Sequence, residues 1–203
     1  MFITGVDTHI GKSLATGLLA KYFQDQGQPV ITQKWVQTGF PENNDLTLHD
    51  QYYTALCPEN MQKHRMPYHF EKPVSPHLAA KIENKPINKE IIIESYNTLK
   101  ELFKIVLIEG SGGALVPYNE KNDFLIDIAI DLILPIVVVV DNRVGVLHQT
   151  RATLESLEKR NASIVGIIIN QINPLAHYIQ EDNKKQLSKM GYPIILDINI
   201  TPA

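Results

Sequence analysis

With 203 residues and a formal net charge of −3, the chain lacks the excess of Lys and Arg that a phosphate backbone demands, which argues against a general nucleic-acid binder. Its one cysteine, Cys57, cannot form an intramolecular disulfide and reads as an ordinary structural thiol. The longest apolar run, residues 132–140, is too short to cross a bilayer and contains Pro135, so no membrane anchor is expected.

Residues 1–4 form a short apolar strand pattern with no leader ahead of it, which suits a cytoplasmic protein. The stretch Gly5-Val6-Asp7-Thr8-His9-Ile10-Gly11-Lys12-Ser13 follows. After it Leu14, Leu18, Leu19, Tyr22 and Phe23 recur at spacings of three and four, predicting a helix that buries them. A glycine-rich turn between strand and helix aims backbone N–H groups and the positive end of the helix at one point, where a polyphosphate can be held. Lys12 adds a mobile positive charge there, and the Ser13 hydroxyl is placed to ligate magnesium. Five residues separate Gly5 from Gly11, one more than in the usual form of this pattern.

Residues 29–32 begin a second strand, with Lys34 and Thr38 near its C-terminal end, the edge where parallel sheets collect ligands. Lys34 reads equally as a solvated lysine, and Lys12 and Lys34 are both expected at an exposed rim. Asp45 falls in the first turn of a helix starting near residues 43–44, either as a site residue or as a carboxylate that complements the helix dipole. Residues 57–76 show no period and are expected to form a long functional loop. Ser75 and Pro76 supply a cap and first helical position, with His77 beside them. Asn88 caps a helix through Phe103 whose apolar face is Ile91, Ile92, Tyr96, Leu99 and Phe103.

Residues 104–108 are a compact strand running into Glu109-Gly110-Ser111-Gly112-Gly113. A carboxylate at a strand end reaches a metal from the sheet edge, and the glycines let backbone approach phosphates closely. A helix over 122–134, a doubly buried strand over 135–140, a loop from Asp141 through Gly145 and a helix over 146–160 come next. A strand over 164–169 stops at Asn170 and Gln171, ahead of a helix over 176–190 and a last strand over 192–196. This alternation specifies a single α/β domain over 1–203, a mostly parallel sheet with helices on both faces.

These motifs resemble the dethiobiotin synthetase family, whose P-loop NTPase-like fold carries a Gly-Thr-Asp-Thr-x-x-Gly-Lys-Thr loop with the same five-residue spacing. Lys34 through Gly39 looks like its Lys-Pro-Val-x-[Ser/Thr]-Gly, Ser75-Pro76-His77 like its Ser-Pro-His, and Glu109 through Gly113 like its Glu-Gly-Ala-Gly-Gly. The resemblance implies ATP-dependent ring closure of 7,8-diaminononanoate with CO2 derived from bicarbonate, through a carbamate and a carbamic-phosphoric anhydride, to dethiobiotin, ADP and phosphate. It assigns catalysis to Lys12 and Lys34 and Mg2+ to Ser13, Asp45 and Glu109. ATP falls to His9, Ile10, Gly11, Lys12, Ser13, Leu14, Asp45, Glu109, Gly110, Ser111, Gly112, Asn170 and Gln171. Thr38, Lys12 and Lys34 are assigned to the substrate, together with Gly145 and Val146, which the family's homodimers present to the partner subunit's substrate carboxylate. Leu196 and Asn199 stand where the family usually has glycine and proline near the adenine. Partitioning ATPases share the fold but carry a second lysine directly after the first loop glycine, where this chain has Val6.

Overall fold

A computed structural model describes residues 1–39, 44–171 and 175–199. Its centre is a parallel sheet of six strands: β1 (Phe2–Gly5), β2 (Val30–Lys34), β5 (Ile105–Glu109), β6 (Ile136–Asp141), β7 (Ile164–Gln171) and β8 (Ile194–Asn199). They lie in the order β2-β5-β1-β6-β7-β8 and every pairing is parallel. A separate parallel pair joins β3 (Val36–Thr38) to β4 (Tyr68–Phe70).

Period-two alternation divides the core between the sheet faces. Phe2, Ile31, Ile108, Ile136, Val138 and Val140 face one layer, where α4 (Pro76–Ile82), α5 (Lys89–Leu102), α6 (Leu125–Asp131), α7 (Val146–Glu158) and α8 (His177–Leu187) contribute buried side chains. Ile3, Val30, Leu107, Val137, Val139 and Ile168 face the other, covered by α1 (Lys12–Asp25). All six residues of β6 are buried, which accounts for its unbroken β-branched run.

Several boundaries and faces differ from expectation. The fully buried stripe of α1 is Ala15, Thr16, Gly17 and Ala20, while Leu14, Leu18, Leu19 and Phe23 are half-buried and Tyr22 is 58% exposed. Gly17 meets the end of α2 (Asp45–His49) and the turn after it: a Cβ there would lie 3.3 Å from His49 Cα and 2.8 Å from Tyr52 Cδ2. Ile91 is exposed on α5 and Ser95 takes a buried place. The loop expected over 57–76 holds a 3-10 turn, α3 (Gln62–Arg65) and β4, since Arg65 is buried against Asp50, Thr32 and Tyr53. The helix read over 122–134 is confined to α6, and β8 runs on to Asn199. Ser75 occupies the N-cap of α4 without a side-chain bond to a helix N–H, whereas Asn44 and Asn88 do cap α2 and α5 through their side chains. Residue 43, an alternative start for α2, lies outside the described residues. Among the described residues no helix is long and apolar enough to cross a membrane.

Candidate active site

Parallel register brings the strand ends to one edge. Lys34, the last residue of β2, is paired directly with Glu109, the last of β5, and Asp141 with Asn170 two strands further on. In front of β1 the glycine loop turns into α1 at Gly11, whose φ of 84° is a left-handed conformation that favours glycine. Gly11 is the N-cap and bonds no helix N–H with a side chain, so the first-turn donors face outward toward any anion. Gly5 is required for packing: a Cβ there would sit 2.3 Å from Ile10 Cδ1 and 3.3 Å from Lys12 Cδ.

A cleft of about 850 Å³ opens over this edge, lined in part by His9, Gly11, Lys12, Ser13, Lys34, Thr38, Asp45 and Glu109. At its floor Lys34 Nζ lies 2.6 Å from Asp45 Oδ2, 2.8 Å from Glu109 Oε1 and 2.9 Å from the Gly110 carbonyl oxygen. Ser13 Oγ donates within reach of Asp45 Oδ1 at 2.9 Å and Glu109 Oε1 at 3.1 Å. His49 Nε2 approaches Glu109 Oε2 at 2.7 Å. Lys12 Nζ folds back onto the Asp7 carbonyl oxygen at 2.7 Å.

Neither lysine lies at an exposed rim, as the sequence had suggested: Lys12 is 6% and Lys34 4% exposed. They are buried differently. For Lys12 burial dominates and lowers the pKa to about 8, with Lys34 adding like-charge repulsion against the attraction of Glu109 and Asp45. Burial also disfavours the charge on Lys34, but Glu109 and Asp45 together more than offset it and raise the value. Burial pushes the Glu109 carboxyl up, and Lys34 and the His49 hydrogen bond outweigh it, holding the group well below the usual carboxylate range. The centre is a network in which two carboxylates and a hydroxyl gather around the Lys34 ammonium group, with Lys12 beside it in the cleft lining. Hard oxygen donors in this combination fit a small divalent cation such as Mg2+.

A family model described as an AAA domain matches residues 1–200. An ATP-dependent dethiobiotin synthetase BioD 2 of Haemophilus influenzae is 40% identical over 172 residues, covering 84% of this chain and 90% of that protein. Its counterpart in Haemophilus ducreyi is 37% identical over 194 residues, 95% of this chain and 89% of that protein. The chain belongs to the dethiobiotin synthetase family. A further member, from Halalkalibacterium halodurans, is 35% identical over 93% of this chain and 79% of its own length. Among solved structures, the MinC:MinD cell division complex of Aquifex aeolicus superposes with a TM-score of 0.61 at 14% identity, covering 99% of this chain and 81% of that one. A ParA family ATPase from Chlorobium tepidum gives 0.58 at 14% identity over 99% of this chain and 85% of its own. At that identity the likeness shows the fold alone, a P-loop NTPase sheet.

Within this dethiobiotin synthetase fold, Leu14, Ser111 and Gly112 also line the cleft with the residues named above. Ser111 Oγ donates to the Val36 carbonyl oxygen, which pins the Glu109–Gly113 turn to β3. Ile10 is buried beneath the loop, and Gly110 sits against Phe2 behind the cleft wall. Asn170 lies to the side, fully buried, its Nδ2 donating to the Ile10 carbonyl oxygen at 3.1 Å while Oδ1 has no hydrogen-bond partner among the described residues. Gln171 Nε2 donates to Asp197 and Asn199 on β8. Gly145 and Val146 begin α7 and do not line the cleft of their own chain. Two residues escaped the sequence reading. Gln37 accepts the Asp45 backbone N–H at 3.1 Å through Oε1, and His49 bonds to Glu109. The four-residue step from Asp45 to His49 was the available signal, since it stacks both on one helical face.

Proposed function

We propose that this chain is a cytoplasmic, Mg2+-dependent enzyme that uses ATP to close the ureido ring of dethiobiotin from 7,8-diaminononanoate and CO2. The observation that carries the reading is the pairing of Lys34 with both Asp45 and Glu109 at the floor of a cleft walled by the glycine loop. A passive binder has little need for paired charges at the transfer site, and a partitioning ATPase would carry its second lysine where this chain has Val6. Two fixed cations suit a reaction that generates negative charge on a carbamate and then moves a phosphoryl group onto it.

In this reading one substrate amine adds to CO2, and Lys34, near Thr38 in the cleft wall, faces the resulting carbamate oxygen. Lys12 releases the Asp7 carbonyl oxygen and follows the γ-phosphate as the carbamate oxygen displaces ADP. The second amine then attacks the carbonyl carbon and expels phosphate, closing the ring. Ser13, Asp45 and Glu109 would hold Mg2+, which would neutralise phosphate charge during transfer. The glycine-loop residues His9 through Leu14 and the Glu109–Gly112 backbone border the phosphates, while Asn170 and Gln171 lie toward the purine. Gly145 and Val146 are left to a partner subunit's substrate carboxylate, as expected of a homodimer.

The test is phosphate release with Mg-ATP and bicarbonate, with and without 7,8-diaminononanoate, and identification of the product by mass. Diamine-stimulated release with dethiobiotin formed is the expected result. A folded, nucleotide-binding protein that ignores the diamine would overturn it.

A further inference from the structure

One fully buried polar side chain at the reaction centre has no part in the chemistry above. His49 closes α2, is 0% exposed, and directs Nε2 at Glu109 Oε2 over 2.7 Å. Its other ring nitrogen, Nδ1, is buried without a hydrogen-bond partner among the described residues. The remaining oxygen of Glu109, Oε1, serves Lys34 at 2.8 Å and Ser13 at 3.1 Å. Packing seats the backbone of His49: a Cβ on Gly17 would come within 3.3 Å of both the Cα and the carbonyl oxygen of His49, so the absence of a side chain on α1 lets the end of α2 settle there. Gln37 holds the other end of the helix through the Asp45 N–H.

We propose that His49 is a positioning residue for the phosphoryl-transfer centre, its Nε2–H holding Oε2 of Glu109 so that Oε1 alone faces Lys34, Ser13 and the cation. A free carboxylate can rotate or present both oxygens to a metal, and an outer hydrogen bond selects one orientation. A nitrogen left without a partner is tolerable on the acceptor side of the ring, since buried orphan acceptors are less rare than orphan N–H groups, and this agrees with the proton residing on Nε2. Since Asp45 and His49 share one short helix, the device sets a direct ligand and the support of a second ligand with a single backbone placement. The inference rests on the reading of Glu109 as a metal ligand.

The experiment measures Mn2+ binding to the ADP-loaded protein by electron paramagnetic resonance, with the Mg2+ dependence of turnover alongside. His49→Leu removes the donor at similar bulk, His49→Asn keeps an amide too short to reach, and His49→Gln keeps one at the reach of Nε2. The Leu and Asn variants should weaken Mn2+ binding by roughly 10–100-fold, as loss of outer-sphere support typically does, and Gln should restore it to within about threefold. If Leu fails to fold, the Asn and Gln pair decides. Equal Mn2+ affinity in all folded variants, with only their melting temperatures lowered, would make His49 a packing residue and overturn the proposal. Nucleotide binding by the wild type without any divalent dependence would instead overturn the metal reading of Glu109, and this inference with it.

Discussion

Replacing Lys34 by Met keeps the apolar stem and deletes the ammonium, so the loss reports on charge rather than on a cavity. Glu109, 2% exposed, would then have to stay charged without its main cation or take up a proton. Protonation sets the ceiling: at pH 7, against the ordinary value of 4.5, it costs about 3.4 kcal/mol at about 1.36 kcal/mol per unit. His49 and Ser13 still bond the carboxylate, and Asp45 is open enough to rehydrate, so a loss of roughly 2–3 kcal/mol is expected, at the lower edge of the range for a broken buried pair. For a chain of this length that corresponds to a fall in Tm of roughly 5–10 °C. Urea unfolding at pH 7 and pH 5 is the assay. Because the carboxyl protonates more easily at lower pH, the gap between variant and wild type should be smaller at pH 5 than at pH 7. A gap that is the same at both pH values, or below about 1 kcal/mol at pH 7, would show that the ion pair does not carry the energy assigned to it.

Lys12→Met should behave in the opposite way, abolishing turnover without lowering the urea midpoint, because burial already disfavours this charge and, among the described residues, only the Asp7 carbonyl oxygen bonds it; a midpoint loss as large as that of Lys34→Met would contradict this. With its value lowered to about 8, Lys12 is largely neutral above that pH until phosphates draw a proton onto it. Nucleotide affinity should therefore fall as pH rises past about 8, and calorimetry at about pH 8.5 in buffers of different ionisation enthalpy should detect proton uptake on binding; buffer-independent heats would refute the link. Glu109 titrates below its ordinary value of 4.5, so its stabilising contribution is complete above that pH and is lost as the pH falls below it, which an acid series of urea midpoints will show in the wild type and lack in Lys34→Met. Gly5→Ala places a Cβ 2.3 Å from Ile10 Cδ1 and 3.2 Å from the Val139 carbonyl oxygen, and overpacking of this kind costs about 1–3 kcal/mol. Its nucleotide affinity should drop with its stability, measurable by calorimetry and urea unfolding, and an unchanged affinity would mean the loop absorbs the methyl group.

The amino-acid order alone determined the alternation of strands and helices, the glycine loop at the first strand-to-helix junction and the carboxylate at the end of β5, because period, turn chemistry and strand-end acids are local properties. It also placed Lys34 and Glu109 on one rim, since parallel topology sends every strand's C-terminal end to the same edge. It could not assign burial to either lysine. Whether an ammonium group faces solvent or a carboxylate depends on register, and only the β2–β5 pairing sets Lys34 beside Glu109. The face of α1 is only partly legible for a related reason: Leu14, Leu18, Leu19 and Phe23 pack against the core half-buried while Tyr22 is exposed, and only tertiary structure brings His49 and Tyr52 so close to α1 that position 17 has room for no side chain. The same approach carries His49 to Glu109. A histidine in a five-residue polar helix has no local mark of burial, and its role exists only because tertiary packing brings a distant carboxylate to its ring.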